Sequence, residues 1–122
     1  MYSTTPIIIG KTSNGHTVYQ KTINTVMTYF TKPTSGYSVS SISLGDKAIN
    51  ILKIDTVINS TTASIFYQLP YSSTGSSLGT WIKSIKNLGT SSDCIIEFYN
   101  NVEWGNNYVL TTTVEYIKSE VA

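Results

Sequence analysis

Apolar and polar residues alternate with a period of two along most of the chain, the spacing of half-buried β-strands rather than of helices. The clearest run is Asn106 to Ser119, NNYVLTTTVEYIKS. Tyr108, Leu110, Thr112, Val114 and Tyr116 fall on one face, and Val109, Thr111, Thr113, Glu115 and Ile117 on the other. This predicts a long central strand with the first set facing the core, and with Val109 and Ile117 turned toward a neighbouring subunit.

Earlier segments repeat the pattern in shorter pieces. Thr5 to Ile23 reads as a hairpin around Asn14-Gly15, the pair favoured where both turn residues take positive φ. With a two-residue loop Ile9 would pair with Gln20 and Lys11 with Val18, mixing apolar and polar side chains on one face; a longer loop or a bulge removes that conflict. Thr25 to Phe30 reads as a strand ended by Pro33 and Gly36, and Tyr37 to Leu44 as an edge strand interrupted by serines. Ala48 to Asn59 carries Ile49, Ile51, Ile54, Val57 and Ile58, whose β-branching favours a strand over a helix. Ala63 to Leu69 returns antiparallel to it and stops at Pro70. Tyr71 to Thr80, rich in Gly and Ser, reads as a mobile surface loop. Trp81 to Leu88, with Trp81, Lys83 and Ile85 on one face and Ile82, Ser84 and Lys86 on the other, forms a third hairpin with Cys94 to Tyr99. Frequent turns and no convincing helix predict an all-β fold: an antiparallel β-sandwich or jelly-roll-like barrel of about seven to nine strands, in one domain spanning residues 1–122.

Composition sharpens this picture. Charged residues are 12% of the 122, while Ser and Thr number 17 and 18, so the solvent faces of the strands are hydroxyl-rich. The net charge is +1 and all eight basic residues are scattered lysines, a pattern that argues against nucleic-acid binding. No apolar run approaches the roughly 20 residues that cross a bilayer, and MYSTTPIIIGK lacks the features of a leader, so the chain reads as soluble, unprocessed and not membrane-inserted. One cysteine, Cys94, permits no internal disulfide, which suggests intracellular assembly and stability drawn from packing or association.

Candidate chemistry is sparse. His16 sits at the hairpin tip, exposed and far in sequence from any partner, and Cys94 opens an apolar strand with no basic neighbour to activate it. Seven scattered carboxylates, one His and one Cys show no metal-ligand spacing, and the eight glycines form no phosphate-cradling loop, so neither metal nor cofactor is expected. A glycosidase reading rests on Asp93, Glu97 and Glu103 alone, with Glu97 read more simply as a solvated strand residue; a non-enzymatic chain is expected. Nine Tyr and two Trp are more suggestive, because flat amphipathic rings on a weakly charged scaffold suit sugars or a protein partner. Trp104, among Asn100, Asn101, Asn106 and Asn107, is either a ligand contact or a loop anchor. Tyr108 stands beside it on the long strand, and Tyr71 and Trp81 bracket the Ser/Gly loop. These four are the candidate contacts of a lectin-like module.

Four blocks resemble small virion domains of tailed bacteriophages, the loosely defined tail-fibre, baseplate and appendage proteins. Ile9-Gly10 through Gly15 to Val18-Tyr19-x-Lys21-Thr22 is similar to their opening segment. Ile42-Ser43-x-x-Asp46-Lys47 and Phe66-Tyr67-Gln68-Leu69-Pro70-Tyr71 resemble two internal ones, and Trp104-x-x-x-Tyr108 through Val114-Glu115-Tyr116-Ile117-Lys118 resembles the closing one. The blocks keep the family's order over residues 7–118, although Thr12 stands where Trp is common and Leu44-Gly45 replaces a more polar-apolar pair. The resemblance implies an all-β homotrimer in the virion, assembled in the host cytoplasm. Its implied partners are other virion proteins and a host cell-surface glycan, and it brings no catalytic residues. A soluble carbohydrate-binding module is the alternative.

Overall fold

The computed structural model describes residues 5–30, 33, 34, 36–62, 66–69, 71, 72, 79–101, 104 and 107–118. The strands are β1 (Ile7–Lys11), β2 (Thr17–Val26), β3 (Ser38–Ser43), β4 (Asn50–Ser60), β5 (Phe66–Gln68), β6 (Tyr71–Ser72), β7 (Gly79–Lys86), β8 (Ile95–Asn100) and β9 (Tyr108–Ile117). All pairings are antiparallel, in two sheets of order β1-β2-β9-β4-β5 and β3-β8-β7-β6. The expected all-β fold is observed, and side chains from both sheets meet in one core, a sandwich-like arrangement. Among the described residues no ladder joins the two sheets.

The long strand predicted near residue 106 is β9, and it is central: β2 flanks it on one side and β4 on the other. Leu110, Thr112, Val114 and Tyr116 are fully buried, and Tyr108 packs against them. The opposite face departs from expectation. Ile117 is 8% exposed, lying between Val18 of β2 and Asn50 of β4, so the chain itself covers it and it is not offered to a second subunit. Val109 is half-buried.

Three extra residues account for most of the other departures. In the first hairpin the register shifts between Ile8 and Gly10, and the loop is longer than the two residues of a type I′ turn. Thr12 N–H donates to His16 O (2.8 Å) and Gly15 N–H to Thr12 O (2.9 Å), and only Gly15, at φ 84°, takes the left-handed conformation. β4 bulges at Leu52 and β7 at Lys83. The second bulge brings Ile82 and Ile85 onto the same inner face, where strict alternation separates them.

Two segments change type. Thr25 and Val26 end β2, and Met27–Tyr29 form a 3₁₀ turn instead of a further strand. That turn buries Met27 and carries the chain toward the second sheet, where Phe30 meets Phe98 edge-on at 5.6 Å. Within the expected Ser/Gly loop, Tyr71–Ser72 pair with Gly79–Thr80 as strand, and residues 73–78 lie outside the described set. β3 is an edge strand, β4 a strand rather than a helix, and β7–β8 a hairpin, all as expected.

Candidate functional site

On β3, β8 and β7 the inward residues Ile42, Ile96, Phe98, Ile82 and Ile85 build the core, so alternation turns Val39, Ser41, Glu97, Tyr99, Trp81 and Ser84 outward. Register then sets them in rows: Val39, Tyr99 and Trp81 in one, Ser41, Glu97 and Ser84 in the next. Tyr37, just before β3, joins the first row with its ring 4.9 Å from Trp81 and 5.7 Å from Tyr99, while Trp81 and Tyr99 are 6.2 Å apart. The rings are inclined by 52–69°, so their faces diverge instead of stacking on one another. Tyr37 is 44% exposed, and Trp81 and Tyr99 are half-buried.

Glu97 beside them is not the solvated residue expected from sequence. It is 9% exposed, and its Oε1 takes a hydrogen bond from Ser84 Oγ (2.8 Å) and contacts from Lys83 Nζ (3.4 Å) and Lys86 Nζ (3.3 Å). Alternation from Trp81 already turns Lys83 outward, and the bulge there is what brings Ser84 opposite Glu97. The Ser84 bond, followed by the two ammonium groups, outweighs desolvation and holds the Glu97 carboxyl below its usual range. It is therefore a fixed carboxylate, ill suited to the general-acid role of a glycosidase. Lys83 also lies over the Tyr99 ring at 5.8 Å, linking the two rows.

The residues singled out from sequence are dispersed. Trp104 is 9% exposed; its Nε1 donates to Thr80 Oγ1 (3.0 Å), which donates to Asn100 Oδ1 (2.6 Å), so the ring and a neighbouring amide are engaged inside the core. Tyr108 packs edge-on against it at 5.2 Å. Of the three whose side chains are described, Trp81 alone lies in the outer aromatic group; Tyr71 is a β6 residue whose side chain is outside the described set. Asp93 is exposed beside Lys47 (3.6 Å), and Glu103 is outside the described residues. His16 is half-buried with Nδ1 unpaired, and burial pushes the Cys94 thiol up. Among the described residues no three His, Cys, Asp or Glu side chains converge. An apolar cleft of about 420 Å³ between β4 and β7 is lined by Ile54, Thr56, Leu69, Trp81 and Ile82.

Sequence reading missed Tyr37 and Tyr99 because cross-strand register, not spacing, unites them, and it took Glu97 for a solvated strand residue. Alternation from Cys94 to Tyr99 already puts Glu97 and Tyr99 on one outward face.

A second constellation is structural. Asp46 accepts a hydrogen bond from Tyr116 Oη (2.6 Å), pairs with Lys118 Nζ (3.0 Å) and accepts from the Lys47 N–H (2.9 Å). Tyr116 stacks on Tyr19 (5.9 Å), Lys118 lies over Tyr19 (5.2 Å), and Lys21 Nζ donates to Leu44 O (2.6 Å). Burial alone would raise the Asp46 carboxyl, but the bonds from Tyr116, Lys118 and Lys47 and the Lys118 charge outweigh it and leave it lowered. Burial first, then the bond to Asp46, drives the Tyr116 phenol far above its usual range. Comparison with protein-family models, with curated proteins and with solved structures finds no match to this chain.

Proposed function

We propose that this chain is a structural component of a bacteriophage virion, in a tail fibre, baseplate or head appendage, that contributes to recognition of the host surface and performs no catalysis. The observation that carries this reading is the meeting of three resembling blocks at one joint. Tyr19 and Lys21 come from the opening block, Asp46 from the second and Tyr116 and Lys118 from the closing one, and they join through the contacts around Asp46 and Leu44. Here they tie β2 and β9 to the segment after β3, which is what a shared sandwich of seven to nine strands requires of them.

In the proposed assembly three chains associate. Exposed apolar side chains on the edge strand β1, above all Ile8 at 67% exposure, favour association over a solitary chain. Two measurements test the reading: solution mass by light scattering at micromolar concentration, and mass spectrometry with immunogold microscopy of particles purified from the source lysate. A species of about three times 13.4 kDa, present in the particles, is expected. A monomer that is absent from particles overturns it.

The outward aromatic group beside a fixed carboxylate favours one second reading, a soluble carbohydrate-binding module.

A further inference from the structure

We infer that the outer face of β3, β8 and β7 is a glycan-binding site, which seats a pyranose ring against the aromatic group of Tyr37, Trp81 and Tyr99 while Glu97 Oε2 accepts hydrogen bonds from its hydroxyls. This deepens the surface-recognition part of the reading above and rests on it.

The first observation is the state of the carboxylate. Ser84, Lys83 and Lys86 all converge on Oε1, and among the described residues nothing donates to Oε2. A carboxylate held on one oxygen has a fixed orientation and leaves the other oxygen as a preorganised acceptor. Its natural complement is a ligand rich in hydroxyl donors. Both neighbouring ammonium groups are turned onto Glu97 Oε1.

Reach is the second. Glu97 and Tyr99 are two residues apart on one strand and share a face, so about 7 Å separates their rows. A pyranose with its exocyclic hydroxyls spans that distance: its C–H face rests on a ring while its edge meets Oε2. The third observation is that the rings are inclined by 52–69° and do not stack on one another, with Lys83 Nζ lying over Tyr99 at 5.8 Å. The hydroxyls of Ser41 and Ser84 flank Glu97 in the same row.

The test is an array of bacterial O-antigen and capsular polysaccharides, with tryptophan-fluorescence titration of the best-bound glycan afterwards. The wild-type chain is expected to bind. Glu97→Gln, nearly isosteric, and Tyr37→Ala, which removes an exposed ring outside the ladders, should each weaken binding at least tenfold while far-UV circular dichroism is unchanged. Trp104→Phe, a change confined to the interior, should bind as wild type. Binding unchanged in Glu97→Gln and Tyr37→Ala overturns the inference, as does a wild-type chain that binds no glycan on the array. A chain found in particles yet binding no glycan overturns the site and leaves the virion reading standing. Binding that tracks Glu97 and Tyr37 in a chain absent from particles supports the site and removes the virion reading.

Discussion

Replacing Tyr116 by Phe deletes one oxygen at the joint between three segments. The lost bond is short, 2.6 Å, and its acceptor is an Asp46 carboxylate with 15% of its side chain exposed. Hydrogen bonds to charged groups contribute about 1.5–3 kcal/mol, and Asp46 keeps Lys118 and the Lys47 N–H, so a loss of about 2 kcal/mol is expected at neutral pH. For a domain of this size that lowers Tm by about 8 °C. The loss depends on pH in a definite sense. The folded-state pKa of Asp46 lies below its ordinary value of 3.8, so the associated stability is complete above that value and disappears as pH falls through the folded pKa. Without the phenol the carboxyl moves back toward its ordinary value, and the variant has less of this stability to lose. Urea denaturation of wild type and variant should therefore show the gap shrinking to about 1 kcal/mol once pH falls below the folded pKa of Asp46, where a neutral bond replaces the charged one. A gap under about 0.5 kcal/mol at pH 7, or one independent of pH, would falsify the assignment of this bond as a stabilising contact.

The packing sets three further outcomes. Leu110→Ala on the buried face of β9 should cost about 3 kcal/mol, whereas Val109→Ala on the half-buried face should cost less than about 1 kcal/mol, as read from denaturant midpoints. Gly15→Ala, at φ 84° in open space, should cost about 1 kcal/mol. Gly45→Ala, at φ 71° with its new Cβ 2.6 Å from Lys21 Nζ, should cost about 2 kcal/mol, because that ammonium must also release Leu44 O; thermal melts of the pair check the difference. Cys94 is fully buried and its thiol is pushed up by desolvation, so a thiol reagent should label the chain only after denaturation.

The strands were readable where period two runs unbroken. β9, β4 and the β7–β8 hairpin emerge directly from alternation, and the β-branched residues of β4 decide against a helix. Reading failed where one residue is inserted. The bulges at Leu52 and Lys83 each exchange the inward and outward positions of the strand residues beyond them, and no local residue announces them, whereas the irregularity near Ile9 is one that the mixed faces of the first hairpin already call for. Thr25 to Phe30 read as strand by alternation, yet the residues buried together are Met27 and Phe30, three apart, the spacing of a 3₁₀ turn. Trp104 drew attention through its amide neighbours, yet its indole N–H is satisfied by Thr80, a residue 24 positions earlier. Of the candidate site Trp81 was visible beforehand as a contact, and Glu97 only as a solvated carboxylate. Tyr37 and Tyr99 reach it through pairing across strands, and the buried state of Glu97 depends on a bulge in the neighbouring strand.

The central place of β9 has a consequence for how the chain is made. β2 and β4 are synthesised well before the strand that joins them; Gln20, for one, waits 95 residues for Glu115. Until β9 emerges, β2 and β4 each hold an open ladder edge, and the inner face that Leu110, Val114 and Tyr116 complete lacks its middle. Folding of the first sheet is thus delayed until late in translation and governed by long loop closures. A product that stops short of Tyr108, by stalling or by proteolysis, would carry two unsatisfied strand edges and a bisected core, which marks it for aggregation or degradation rather than for partial function.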